Sequence, residues 1–230
     1  MKVGVTLPTF RHDAGSLDAA RRAEELGIDG VFVFDHLWPM GSPGRPALSA
    51  FPVLGAVAAV TGALCVGPLV ARIGLVPDAV LVAELVSLEH MAPGRVIAGM
   101  GTGDRHSADE NLAYGIAFPP ADERRLALAR CAREVADAGV PVWIGGGSVA
   151  TVEVAADLGV AVNLWEGQPA AAAALAARCE VTWGGPVPDD TASIAEWLSE
   201  LAAAGVSWAV CAWPRSLEAV AEAAAVVRGA

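Results

Sequence analysis

The sequence is poor in positive charge, in cysteine and in secretory signals. Fifteen Lys and Arg stand against 26 Asp and Glu, a net charge of −11 and a pI near 4.7. That deficit excludes nonspecific binding to nucleic acid or anionic membranes, which needs clustered cations to neutralise phosphate. The four cysteines, Cys65, Cys131, Cys179 and Cys211, lie far apart with no Cys-x-x-Cys pair. They are expected to be reduced, buried thiols of an intracellular protein, not a disulfide framework or a zinc site. The opening "MKVGVTLPTF" has no charged leader running into an apolar segment, so a cytoplasmic location is expected. The histidines and acids show no metal-ligand spacing on one element, so no metal is expected. Only 18% of residues are charged and 54% are hydrophobic, which excludes disorder. At 230 residues, a length that α/β barrels reach undivided, one domain over residues 1–230 is expected.

One charge-free run reaches membrane-spanning length: "ALSAFPVLGAVAAVTGALCVGPLVA", Ala47 to Ala71. Pro52, Thr61-Gly62 and Gly67-Pro68 divide it. The pieces fit a buried helix over about 52–60 and a strand over about 63–66.

Four segments share one grammar: "AEELGIDGVFVF", "VADAGVPVWIGG", "AADLGVAVNLW" and "LAAAGVSWAVCAW". Each has a helical tail, a glycine (Gly27, Gly139, Gly159 or Gly205), then Ile or Val opening an apolar strand. The glycine suits the left-handed position that closes a helix, and continuous apolarity marks a strand buried on both faces. With "KVGVTLP", "ALCVGP", "RVIAGMG" and "EVTWGG" this makes eight strands with helices between most of them. Such alternation predicts parallel pairing through right-handed crossovers and a (β/α)₈ TIM barrel, with an open doubly wound sheet as the other arrangement. The alanine run 170–174 is expected to form a helix starting after Pro169.

In a barrel the chemistry sits at the carboxyl ends of the strands. Those positions hold Pro8-Thr9-Phe10-Arg11-His12, Asp35-His36-Leu37-Trp38, and Cys65 to Pro68 with Arg72 beyond. They also hold "GMGTGDRH" (Gly99 to His106), "GGGS" (Gly145 to Ser148), Asn163, Trp165, Glu166, Gly184-Gly185, Trp213 and Arg215. Three of the four histidines (His12, His36, His106) fall in this set, and imidazole is the side chain best poised for proton transfer near neutrality. His90 lies at a helix end. His12 reads as a solvated loop residue; His36, beside an acid at the end of a dry strand, reads as functional. The "GGGS" turn enters a helix with Ser148 as N-cap. It suits either a phosphate, through free N–H groups and the helix dipole, or merely a tight turn. "GMGTG" does not match the dinucleotide fingerprint, but its bare glycines imply that something flat or bulky lies close, with Asp104 beyond them.

Taken together, "VGVTLP", "AARRAEELGIDGVFVFDHLWP", "VLVAELVSLEHMAPGRVIAGMGTGD", "ERRLALARCAREV", "VPVWIGGGSVATVEVAADLG" and "IAEWLSELAAAGVSWAVCAWP" resemble the bacterial luciferase-like family of flavin- and deazaflavin-dependent oxidoreductases. Within it they are most similar to the coenzyme F-420-dependent branch. The resemblance implies a barrel with the deazaflavin ring lying across the strand ends. It places Asp35 beside the ring and His36 as proton-transfer group, with Asp104 as a second titrating acid where a Glu often stands. Thr102 and Gly103 would line the cofactor, and Gly145, Gly146, Gly147 and Ser148 would hold its phosphate. Members carry a bulge after the third strand, often with a non-prolyl cis peptide under the central ring; the stretch assigned to it is Leu64-Cys65-Val66.

Relative to the family, the long excursion before the fifth strand is reduced to "ADAG", and the segment between the sixth and seventh strands to "EGQPAAAAALAARCEV". "GVAVNLW" replaces a common Gly-Asp-Gly-aromatic phrase. The cofactor motifs survive better than those covering the substrate. The expected function is hydride transfer between F-420 and a small organic molecule by a homodimer, with no nucleic-acid or membrane partner. The alternatives are an FMN-dependent monooxygenase, a cofactor-binding barrel without turnover, and an unrelated phosphate-handling isomerase barrel. The redox readings require the tip of the second strand and the glycine turn after the fifth to face one cavity.

Overall fold

The computed structural model describes residues 1–9, 15–39, 42–45 and 47–229, with backbone only for Arg105 and His106. The strands are β1 (Lys2–Thr6), β2 (Gly30–Val33), β3 (Cys65–Pro68), β4 (Ala71–Arg72), β5 (Ala98–Gly101), β6 (Val142–Gly145), β7 (Ala161–Trp165), β8 (Val181–Gly185) and β9 (Val206–Cys211). The helices are α1 (Ser16–Glu25), α2 (Ala50–Val60), α3 (Asp78–Met91), α4 (Arg105–Ala113), α5 (Ala121–Asp137), α6 (Val149–Leu158), α7 (Pro169–Ala176), α8 (Thr191–Ala203) and α9 (Leu217–Gly229).

The strands pair in parallel in the order β3-β2-β1-β9-β8-β7-β6-β5-β4. β3 and β4 are two halves of one stave, interrupted at Leu69 and Val70, whose peptide bond is cis. β4 pairs with β5, and Val66 of β3 bridges Val96 just before β5. The Val66 N–H donates to Arg95 O (2.8 Å), and the Ile97 N–H to Val66 O (3.0 Å). These contacts bring the two ends of the sheet together, so the eight expected staves form the expected (β/α)₈ barrel. The seam tolerates no side chain at Gly67, where a Cβ would overlap the Ile97 carbonyl oxygen.

The charge-free run resolves as expected into α2, the connection after Val60, and β3. α2 is 11 residues long, about 16 Å at 1.5 Å per residue. No helix among the described residues is long and apolar enough to cross a membrane. Gly27, Gly139, Gly159 and Gly205 all have φ between 66° and 86°, the helix-closing geometry that their phrases predicted. Pro169 occupies the first turn of α7, where its missing N–H leaves no helical bond unmade.

Two apolar layers follow. The larger lies between sheet and helices and includes Val5, Leu54, Leu85, Leu128, Trp183 and Leu198, each 1% exposed or less. The smaller fills the barrel itself with Phe32, Trp143, Trp208, Leu69, Ile97, Ala161 and Val210. Phe32 and Trp143 stack at 5.2 Å, and Trp208 meets both edge-on. This aromatic plug makes the barrel a packed core rather than a pore.

Candidate active site at the barrel mouth

A cavity of about 450 Å³ opens at the strand tips, within the range typical of small-molecule sites. Phe34, Asp35 and His36 line it from the end of β2. Thr102, Gly103, Asp104 and Ser107 come from the β5–α4 turn, and Gly145 to Ser148 with Thr151 from the β6–α6 turn. Asn163 and Trp165 of β7 complete the wall, with Leu69, Val70 and Arg72 from the interrupted stave. The acid–imidazole tip and the glycine turn therefore share one cavity.

β2 ends at Val33, where it pairs with Pro68, and the next residues leave the sheet for the mouth. Asp35 Oδ2 accepts the Arg72 N–H at 3.0 Å, tying the β2 tip to β4. Burial raises the Asp35 pKa, against the opposing pull of that N–H and of the Arg72 charge. His36 Nδ1 lies 3.0 Å from Glu110 Oε2, the His36 side chain being 23% exposed and that of Glu110 only 1%. The same oxygen accepts from Arg72 Nη1 at 2.7 Å. Glu110 Oε1 accepts the backbone N–H groups of Leu37 and, at 3.1 Å, Trp38. Burial pushes Glu110 upward, but the His36 hydrogen bond and the charge of Arg72 outweigh it and hold the pKa at about 2.

Glu110 was invisible as a site residue from strand tips alone, because it sits inside α4. Only the structure shows that Ser107, Glu110 and Asn111 are all buried, at 2%, 1% and 0% exposure. Their spacing of three and four makes one face of a helix, and here the inward face is polar. A polar stripe turned inward marks a site-forming helix.

Asp104, the expected second titrating acid, reaches the cavity rim and is exposed. Its Oδ1 accepts from the Ser107 N–H and hydroxyl, both at 3.1 Å, so it caps α4. Phe10, Arg11 and His12 lie outside the described residues, as does the side chain of His106. The Trp213 backbone N–H donates to Thr6 Oγ1 at 2.8 Å. Arg215 pairs with Asp189 at 3.1 Å, both exposed. Neither belongs to the cavity lining.

The assignment of the bulge to Leu64, Cys65 and Val66 is corrected. Leu64 and Val66 are core residues, 1% and 0% exposed, and Cys65 pairs with Gly30 at the start of β2. The stave continues in register as far as Val33↔Pro68, so it breaks only where its neighbour ends. Leu69 and Val70 follow that break and line the cavity in place of the three expected residues.

Val70 also explains the glycines around it. A Cβ on Gly101 would stand 2.6 Å from Val70 Cγ2, and one on Gly145 2.8 Å from Val70 Cγ1. The result is an apolar floor cleared of side chains on two neighbouring strands. Beyond it Gly146 takes φ 117°, which an L side chain resists, and its N–H donates to Asn163 O at 3.0 Å. Ser148 Oγ accepts from the Thr151 N–H at 3.2 Å, the N-cap read from the sequence. Gly146, Gly147, Ser148 and Thr151 thus bring the start of α6, with the positive end of its helix dipole, to the cavity wall. Among the described residues, no cluster of three or more His, Cys, Asp or Glu side chains could hold a metal.

A family model described as luciferase-like monooxygenase matches residues 1–130. F-420-dependent glucose-6-phosphate dehydrogenase of Microbacterium testaceum is 38% identical over 113 residues, 47% of this chain and 32% of the relative. The alignments thus span about a third of the length of such relatives. By structure, an F-420-dependent secondary alcohol dehydrogenase solved with an F-420–acetone adduct superposes with a TM-score of 0.83, covering 99% of each chain at 14% identity. The monooxygenase RslO1 of Streptomyces bottropensis gives a TM-score of 0.74, covering 99% of this chain and 97% of its own, also at 14% identity. At that identity the superpositions show the fold. Since the family model spans more than half of its residues, this chain belongs to the luciferase-like monooxygenase family.

Proposed function

We propose that this protein is an oxidoreductase that moves a hydride between coenzyme F-420 and a small organic substrate. One observation carries the reading: the Asp35-His36 tip, the bare Val70 floor and the Gly145–Ser148 turn line a single cavity. The residues fit the cofactor. A flat ring finds an apolar surface from which Gly101 and Gly145 withhold side chains, and a phosphate finds the capped start of α6. The curated relatives, several of them named F-420-dependent dehydrogenases, support F-420 over FMN.

When bound, the deazaflavin supplies a ring carbon, C5, that accepts or donates a hydride. The protein does the rest. With His36 Nδ1–H donating to the Glu110 carboxylate, the ring carries its lone pair on Nε2, which would take a hydroxyl proton as an alcohol becomes a carbonyl, or return it in reverse. Glu110 stabilises the imidazolium formed in that transfer. Phe34, Leu69, Val70 and Trp165 exclude water from the reacting atoms. Asp35 holds the β2 tip against β4 through the Arg72 N–H.

The test is absorbance titration of the purified protein with oxidised and reduced F-420, and with FMN in parallel. Saturable perturbation of the F-420 spectrum is the supporting result. Perturbation by FMN alone moves the protein to the monooxygenase chemistry of its family, and no change with either cofactor overturns the redox reading.

A further inference from the structure

His36 and Glu110 are 74 residues apart in the chain and meet at 3.0 Å. Glu110 does more than pair with one base. Its two oxygens receive four donors from two other segments: His36 Nδ1, the Leu37 and Trp38 N–H groups, and Arg72 Nη1. Just beyond α4, Tyr114 adds a second latch. Its hydroxyl donates to Leu37 O at 3.2 Å and its ring lies 6.0 Å from that of Trp38. The segment 105–114 thus clamps the loop that carries His36.

We propose that Glu110 is the positioning residue of this site: it fixes His36 as the Nδ1–H tautomer, with Nε2 as the proton-transfer atom, and locks the β2 tip against α4. The proposal deepens the redox reading above and rests on it for the catalytic consequence, but not for the tautomer. An ionised carboxylate only accepts hydrogen bonds, so the imidazole nitrogen that faces it carries the proton. Arg72, 3% exposed and bonded to the same oxygen, keeps Glu110 ionised. A purely structural Arg72–Glu110 pair would need neither the third partner at Nδ1 nor the two backbone donors at Oε1.

Glu110→Gln separates the two roles with little change of shape. The amide oxygen can serve the Leu37 and Trp38 N–H groups. That turns the NH₂ toward both His36 Nδ1 and Arg72 Nη1; the guanidinium, a donor only, must turn away, while Nδ1 must accept, so the ring proton moves to Nε2. The experiment is ¹⁵N NMR of the imidazole nitrogens in the cofactor-free protein, beside steady-state kinetics with F-420. Wild type is expected to show a protonated Nδ1 and an unprotonated Nε2 at neutral His36, and Glu110→Gln the reverse. The kcat of the variant is expected to fall about 100-fold or more, as wrong-tautomer and lost general-base variants do, with the Kd for F-420 changed less than threefold. Asp109→Asn, which removes an exposed charge on the same helix, should leave the tautomer as in wild type. Glu110→Asp should keep Nδ1–H and recover part of the kcat if it folds.

A wild-type ring protonated at Nε2, or a Glu110→Gln spectrum like that of wild type, overturns the proposal. If the tautomer behaves as expected but neither F-420 nor FMN perturbs the absorbance, the redox reading falls and the positioning role of Glu110 stands.

Discussion

Val70 stands where a side chain on Gly145 would go: a Cβ there would lie 2.8 Å from Val70 Cγ1. Gly145→Ala is therefore expected to cost about 1–3 kcal/mol, the usual penalty for overpacking, and to weaken F-420 binding about tenfold or more by raising the floor. Combining it with Val70→Ala should restore much of the stability. Urea unfolding and a fluorescence titration read the two effects separately.

His36 is partly exposed and contributes little to the core, so His36→Ala should fold with a near-normal urea midpoint. Its kcat is expected to fall 10²–10⁴-fold, the range for a lost general acid–base group, with F-420 affinity largely kept. Equal loss of both would assign His36 to binding instead.

Acid should loosen the site through Glu110. Its pKa falls from an ordinary 4.5 to about 2 in the fold, so the unfolded chain takes up the proton first. The stabilisation is fully present above pH 4.5 and is lost as the pH drops toward 2. Asp35 acts in the opposite sense. Its pKa is raised in the fold, so the unfolded chain ionises first, and stability falls as the pH climbs from the ordinary 3.8 through the folded value. The difference between wild type and Glu110→Gln in urea midpoints from pH 2 to 6 isolates the first effect; it should shrink on acidification.

Ser148→Ala removes the cap of α6 and is expected to cost about 1 kcal/mol. Because that cap also shapes the turn assigned to the cofactor phosphate, the Kd for F-420 should rise in parallel. A full-length F-420 and a fragment lacking the phosphate distinguish the causes: the variant should discriminate between them less than wild type does.

The barrel could be read in advance because its signals are local. A helix, a glycine at the closing position and an apolar strand lie within a dozen residues, as in "AADLGVAVNLW", which became the end of α6, Gly159 and β7. The Asp35-His36 tip and the "GGGS" turn were legible for the same reason: each is a strand end followed at once by residues unsuited to a dry strand. The third stave was misread by a few residues. "ALCVGPLVAR" carries no mark of where it must break, because the break follows the length of β2 across the sheet. Glu110 was missed because nothing in "SADENLAYG" shows which face of the helix turns inward.

What the sequence alone determined was the succession of elements, and hence the barrel and the rim on which chemistry would gather. Those are matters of backbone preference and of apolar periodicity, settled between neighbours in the chain. Tertiary structure alone decided which carboxylate meets His36, where the cis bond at Leu69–Val70 falls, and that Asp104 caps a helix while Glu110 carries the buried charge. Each depends on groups brought together by ring closure from segments tens of residues apart, and a desolvated charge takes the partner that lies closest in space.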